Sequence, residues 1–434
     1  MLLVGLASLA QPLVSTADIQ PRIVGGVESA EDSWPFMTAL MYKNLGISVE
    51  EESVTAYFLV GSAVQLFSGK LVDCGKALTT CEGAEEKICL IERGKTPFSM
   101  KANNCQESGG VGAIIYNNVA GEFLGDLGGR GPDIPIVSVS RSDGLLLLNY
   151  LDSEADFGYL DSIPSSSYCG ATYIGGKWLV TAAHCVLDVA EDAILANVGG
   201  HDLLTDRDNV IAISRIIRHE SYDPELLTND IALIELVEEP VGVDAISMAS
   251  EDILEDAIAE QAKVIELGRG QQEPVAALDF PPVKRTPAEL FEVEVNLVPN
   301  EPCNSAFNDY FVSVGGDPSN QVKNDMLCAG TEQGDAGTCF GDSGGPLILQ
   351  HDDQDYLIGI TSWGLGCAVE DLYDVFARIP YFETAIEKVM SGETHLLENE
   401  ESSGKNGFFF LSTSWELLFI SLLLYRRNYF TKNK

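Results

Sequence analysis

Gly341-Asp342-Ser343-Gly344-Gly345-Pro346 sets one serine among glycines. Glycines on both sides permit the sharp turn that lifts a hydroxyl into solvent and leaves amide N–H groups converging beside it. A serine hydroxyl is a weak nucleophile until a base takes its proton. Thr181-Ala182-Ala183-His184-Cys185 offers such a base, and Asn229-Asp230-Ile231-Ala232-Leu233 a carboxylate to orient it. Taken singly, Asp230 reads as a turn cap, His184 as a satisfied core histidine and the serine stretch as a glycine-rich turn. In the order His, Asp, Ser they read together as a nucleophile, its base and the group that holds the base.

Around these residues, most of 163–379 alternates short apolar runs with Gly, Asn and Asp turns, as at 178–183, 231–236 and 356–363. That pattern predicts an all-β body, closed by a helix over 381–390. Between about 43 and 162 the texture changes. Strand candidates at 88–92, 112–116 and 134–139 alternate with helical character at 99–108 and 142–151, an α/β signature that marks an inserted second domain.

The chain has 434 residues, and its 26 Lys+Arg against 66 Asp+Glu give a net charge of −40. Such a surface repels nucleic acid, which is excluded as a partner. It reads either as a solvated surface or as a field that steers basic substrates. Ten cysteines, with no paired CxxC, predict disulfides in an oxidising compartment rather than a zinc site. Residues 1–17 read as a signal peptide without the usual basic start, and 18–22 as a short propeptide. Acidic and glycine-bearing 393–407 reads as a linker. In 408–434 an apolar run, interrupted by Glu416, precedes Arg426 and Arg427, and predicts a transient or lasting membrane contact.

Arg22-Ile23-Val24-Gly25-Gly26, TAAHC at 181–185, NDIAL at 229–233 and GDSGGP at 341–346 together resemble the signature stretches of the trypsin/chymotrypsin family. The resemblance implies two Greek-key β-barrels over 23–43 and 163–392, and a secreted serine endopeptidase acting on protein or peptide substrates without cofactor or metal. It implies a catalytic triad of Ser343, His184 and Asp230, with an oxyanion hole at the N–H groups of Gly341 and Ser343. It also implies a zymogen: cleavage after Arg22, by another protease or by the enzyme itself, would free Ile23 to pair with Asp342. The implied disulfides are Cys169–Cys185, Cys303–Cys328 and Cys339–Cys367, leaving Cys74, Cys81, Cys89 and Cys105, all within the insertion, unassigned.

Specificity departs from the family pattern. Gly337 stands where trypsin has its pocket-base aspartate, while Asp374 replaces a pocket-lining glycine, with Ser362, Trp363 and Gly364 along the same wall. A carboxylate moved to the other wall predicts a basic or mixed preference at P1, the residue before the cut, with large apolar residues included. Gly268-Arg269-Gly270 replaces a tryptophan between glycines. Gly200 stands at the first ligand position of a calcium loop, so no calcium is expected there. The segment 44–162, through Cys89-Leu90-Ile91-Glu92-Arg93-Gly94 and Gly110–Asn118, resembles the protease-associated (PA) domain. It is expected to gate the leaving side of the cleft or to serve as a stabilising ornament. The tail resembles the GlyGly-type sorting signal of secreted Gram-negative proteases, which implies an outer-envelope or extracellular location, with a plain membrane anchor as the alternative.

Overall fold

A computed structural model describes residues 23–396 apart from 124, 126, 128–130, 277–285 and 317–320. The expected signal peptide, propeptide, Arg22, most of the linker and the whole 408–434 tail lie outside the described residues. Among those described, no helix is long and apolar enough to cross a membrane.

The body is built from two antiparallel rings. The first runs Met37–Tyr42, Cys169–Gly175, Trp178–Thr181, Ala232–Leu236, Val210–Arg218 and Ile194–Val198, then back to Met37–Tyr42. The second runs Phe291–Val298, Lys263–Gly268, Pro346–His351, Gln354–Trp363, Asp374–Arg378 and Met326–Gly330, and closes on Phe291–Val298. Short strand Val27–Glu28 adds to its edge at Phe291–Val298. Apolar side chains alternate inward along these strands, as in Phe291, Val293, Val295 and Leu297, so each ring encloses a core.

The insertion interrupts the first ring between neighbouring strands. Tyr42 and Tyr168 stack at its base, ring centroids 3.7 Å apart. Its own first and last strands, Leu45–Val49 and Glu154–Tyr159, pair with each other, Leu45 opposite Tyr159. Strand and helix alternate inside it, but its strands also close into a ring of seven. Ser68–Asp73, Lys87–Glu92, Gly112–Tyr116 and Ile136–Val139 are successively parallel, and helix Phe98–Glu107 makes one crossover. The hairpin of Leu45–Val49 with Glu52–Phe58 completes the ring, burying Val54, Ala56 and Phe58. The helix expected over 142–151 is α-helical at Arg141–Leu147, capped by the Ser140 hydroxyl accepting from the Asp143 N–H, and tightens to a 3-10 turn at Leu148–Tyr150. The apolar core of the first ring continues into the insertion through Leu45 and Ile47.

Helix Ile379–Met390 closes the body, its Ile379, Phe382, Ile386 and Val389 buried on one face. Leu396, assigned by the sequence to the linker, is instead fully buried and bridges His219, so the body extends that far. All ten cysteines are bonded, in pairs Cys74–Cys81, Cys89–Cys105, Cys169–Cys185, Cys303–Cys328 and Cys339–Cys367.

Candidate active site

The strand expected over 178–183 stops at Thr181, and the chain tightens into a 3-10 turn, Ala183–Val186. The Cys185 N–H closes the turn on the Ala182 carbonyl at 3.2 Å, and the His184 N–H donates out of it to Asp230 Oδ1 at 2.9 Å. His184 Nδ1 meets the other oxygen, Oδ2, at 2.8 Å, and the Ser362 hydroxyl donates to that same oxygen at 2.5 Å. Asp230 is 2% exposed. Before it, Asn229 adopts a left-handed φ of 53°, a conformation its short polar side chain tolerates, and donates its N–H to Asp325 Oδ2 at 2.6 Å. Burial alone would push the Asp230 carboxyl up, yet the charge of His184 and the hydrogen bonds from His184 and Ser362 hold it below its ordinary value. Burial pushes His184 down, and the charge and hydrogen bond of Asp230 outweigh it, leaving the imidazole raised.

Ser343 sits on a loop tied to both rings. The Gly170 N–H donates to the Ser343 carbonyl at 2.7 Å, and the Gly344 N–H to the Thr361 carbonyl at 2.8 Å. Gly344 has φ +78°, and a Cβ there would collide with Thr181 Oγ1 and the Gly170 carbonyl, so only glycine fits. Among the described residues the N–H groups of Gly341 and Ser343 make no hydrogen bond within the protein, and no bond joins Ser343 Oγ to His184. Ser343 and His184 border the same two cavities. His184 also lies beside the Cys169–Cys185 disulfide, whose bonded sulfurs offer no thiolate to a metal.

Asp342 points the other way, into the second ring. Its carboxylate accepts from the Gly270 N–H at 2.6 Å and the Cys339 N–H at 2.8 Å, and is 1% exposed. Burial raises its pKa to about 6 against these two hydrogen bonds. Ile23, 1% exposed, packs in the core of this ring, and the Gly337 N–H donates to the Val24 carbonyl at 3.2 Å. The Gly268-Arg269-Gly270 stretch is closer to this chemistry than its sequence suggests, because a Cβ on either glycine would strike the Asp342 carboxylate. Arg269 between them is buried and donates to the carbonyls of Gly200, His201 and Ala288.

Of the expected pocket residues, Ser362, Trp363, Gly364 and Asp374 line a cavity of about 400 Å³ with Ser343 and His184. Gly337 lies behind Asp374, whose Oδ2 stands 2.6 Å from where a Cβ on Gly337 would be and accepts from the Thr338 N–H at 2.7 Å. Burial raises the Asp374 carboxyl above its ordinary range, and the charge of Asp342 adds to this against the hydrogen bonds from Thr338. Glu266 belongs to no motif that would single it out in the sequence. It is fully buried, both its carboxylate oxygens lack a hydrogen-bond partner, and burial and then its neighbours Asp374 and Asp342 push it well up.

The insertion contributes residues to the site that its sequence does not single out. Its segment Val60–Ser62 borders both cavities beside His184 and Ser343. The next residues dock on the first ring: the Val64 N–H donates to the Asp188 carbonyl at 2.9 Å, and the Ala190 N–H to the Val64 carbonyl at 3.1 Å. The second cavity, about 820 Å³, lies between Ser343, Gly341 and Cys169 on one side and Tyr57, Arg93 and Phe123 of the insertion on the other.

Comparison with known proteins agrees with this geometry. The Trypsin family model matches residues 154–386, and the PA domain model residues 67–147. Mannan-binding lectin serine protease 1 of Homo sapiens is 32% identical over 423 residues, covering 86% of this chain and 56% of that protein. Its Mus musculus counterpart is 30% identical over 51% of this chain and 31% of its own length. Trypsin eta of Drosophila erecta is 32% identical over 51% of this chain and 79% of its own length. The chain therefore spans about half of the first of these relatives and about a third of the second.

Proposed function

Because the chain belongs to the trypsin family, we propose that it is a serine endopeptidase whose nucleophile is Ser343. The observation that carries this is the His184–Asp230 pair, hydrogen-bonded at 2.8 Å, bordering the same cavities as Ser343. His184, with Nδ1 committed to Asp230, presents Nε2 as the base. It takes the Ser343 proton as Oγ attacks the scissile carbonyl, then returns it to the leaving amine. Asp230 fixes the tautomer and stabilises the imidazolium. The Gly341 and Ser343 N–H groups, unspent within the fold, receive the oxyanion, where one such donor is worth about 3 kcal/mol.

The uncut chain is a zymogen in this reading. Cleavage after Arg22 creates an ammonium at Ile23, already buried in the second ring, and Asp342 is a buried carboxyl with two amide donors and no ion pair among the described residues. The P1 side chain enters the 400 Å³ cavity, where Asp374 favours Lys or Arg while leaving room for large apolar residues. The 820 Å³ cavity then receives the leaving segment, and the insertion walls it. Five disulfides fit export to an oxidising compartment. A sorting tail, transient membrane contact and an envelope location rest on the sequence of 408–434 alone.

The test is cleavage of a mixed peptide library by the chain cut after Arg22, beside Ser343→Ala and uncut Arg22→Gln, with every cut site read by mass spectrometry. Cuts after Lys, Arg or large apolar residues that vanish in both variants are the expected result. Unchanged cutting by Ser343→Ala would refute the nucleophile, and full activity of Arg22→Gln would refute the zymogen.

A further inference from the structure

Two cations stand out in the 820 Å³ cavity. In a chain with 26 Lys+Arg against 66 Asp+Glu, its wall carries Arg93 and Lys43 but, among the described residues, a single carboxylate, Glu122. Among the described residues, neither cation lies within ion-pair distance of any carboxylate.

Arg93 is held in place by neutral groups. Its guanidinium lies 4.7 Å over the Phe123 ring and 5.9 Å from the Phe98 ring, and these two rings stack on each other at 5.5 Å. Nη1 donates to Asn117 Oδ1 at 3.2 Å, and Asn117, 1% exposed, is itself fixed by donating to the Gly121 carbonyl at 3.0 Å. Aromatic rings satisfy the face of a guanidinium and leave its in-plane N–H fork for an acceptor. A planar donor fork, ordered before binding and lacking a built-in anion, matches a carboxylate. The Lys43 ammonium, 5.3 Å over the Tyr159 ring, adds positive charge on the same wall.

We propose that Arg93, supported by Lys43, is a specificity-determining residue that binds a carboxylate in the leaving segment of the substrate. This rests on the endopeptidase reading, in which the Asp374 cavity takes the P1 side chain and the opposite cavity takes the residues beyond the cut. The carboxylate has two sources, an acidic side chain after the scissile bond or the C-terminus of a short leaving segment.

The chain cut after Arg22, insertion in place, is assayed on internally quenched peptides identical up to the cut. Their leaving segments bear Glu, bear Gln with an amidated end, or bear Gln with a free C-terminus. A nitroanilide with no leaving segment runs beside them. The expected kcat/KM is about tenfold higher for a carboxylate-bearing segment than for the neutral one, expressed in KM and diminished in high salt. Arg93→Gln brings that ratio close to one, and Arg93→Lys keeps part of it. The ratio is taken within each protein, so a partly folded variant does not distort it. Whichever peptide, Glu-bearing or free-ended, shows the gain identifies the source. Wild-type enzyme that hydrolyses the nitroanilide but treats the segments alike overturns the assignment, as does a ratio that survives Arg93→Gln. An enzyme that hydrolyses neither nitroanilide nor peptide overturns the endopeptidase reading and this inference with it.

Discussion

Asp374 crowds out a side chain at position 337, its Oδ2 standing 2.6 Å from where a Cβ there would be. The pocket therefore holds its charge at one position or the other. Asp374→Gly is expected to lower the Arg-over-Leu preference in kcat/KM by at least about tenfold. Adding Gly337→Asp to it is expected to restore part of the preference, the space being then vacant while the φ of +159° at Gly337 still strains a side chain. With its pKa raised by burial, Asp374 gains charge only as pH climbs, so in the wild type the basic preference grows with pH. Preference ratios for paired Arg and Leu substrates across pH, in the three proteins, check this. An Arg/Leu ratio unmoved by Asp374→Gly would refute the relocated carboxylate. At this scale the sequence is most informative where candidate residues sit in contiguous motifs, as for His184 and Asp230, which the structure joins, and Ser343, which borders the same cavities. It is silent where a long or inward side chain reaches a distant neighbour. Arg269 caps carbonyls at Gly200 and His201, and Ser362 donates to Asp230, contacts that depend on ring closure rather than on spacing.

Among the elements, helix Ile379–Met390 is readable because its apolar residues recur at helical spacing and Pro380 lies in its first turn. Phe382, 1% exposed, packs edge-on against His219 with ring centroids 5.5 Å apart. Phe382→Ala is expected to cost about 3–5 kcal/mol, read as a drop in the urea midpoint at unchanged slope. A loss under about 1 kcal/mol would show that this helix is not part of the core. Helix Glu251–Glu260 has similar signals, with Ser250 accepting from the Ile253 N–H at its start and Gln261 left-handed at its end, yet in sequence it is masked by the strands around it. Asn300–Ser313 buries only Cys303 and Phe307, and its faces differ too little for periodicity to reveal it. The insertion's alternation of strand and helix is legible. Its closure into a ring is not, because closure needs pairing between strands far apart in sequence.

For the whole molecule, three buried carboxyls, Glu266, Asp342 and Asp374, share one region and are all raised, Asp342 to about 6. A carboxyl raised on folding binds its proton more tightly in the folded state. Stability is therefore highest near the unfolded value of about 4 and falls as pH rises through the folded values. His184, also raised, acts in the same direction, its contribution being lost as pH rises through its folded value. Asp230 and Asp206 are lowered, and what they contribute is lost only below about pH 4. The uncut chain is expected to be less stable at pH 7.5 than at pH 4.5 by a few kcal/mol, on the order of 2 from Asp342 alone. If the proposed cleavage after Arg22 places an ammonium beside Asp342, that slope is expected to flatten. Urea unfolding of cut and uncut protein at both pH values tests this, and an uncut chain that gains stability with pH would contradict it.

The pairing of Leu45 with Tyr159 governs how the first ring assembles. Strand Met37–Tyr42 must find partners that leave the ribosome long after it. Tethered by an unfolded insertion, that encounter would close a loop roughly thirtyfold longer than a tight turn, an entropic cost of about 3 kcal/mol more. Once the insertion has folded and brought Leu45 and Tyr159 side by side, it acts as a short hairpin, and the penalty is gone. Its two disulfides, spanning 7 and 16 residues, link positions near each other along the chain and need nothing from the barrels. The ring that carries His184 therefore depends on the insertion for the timing of its assembly, and damage deep in the insertion would be felt as slower folding of that ring.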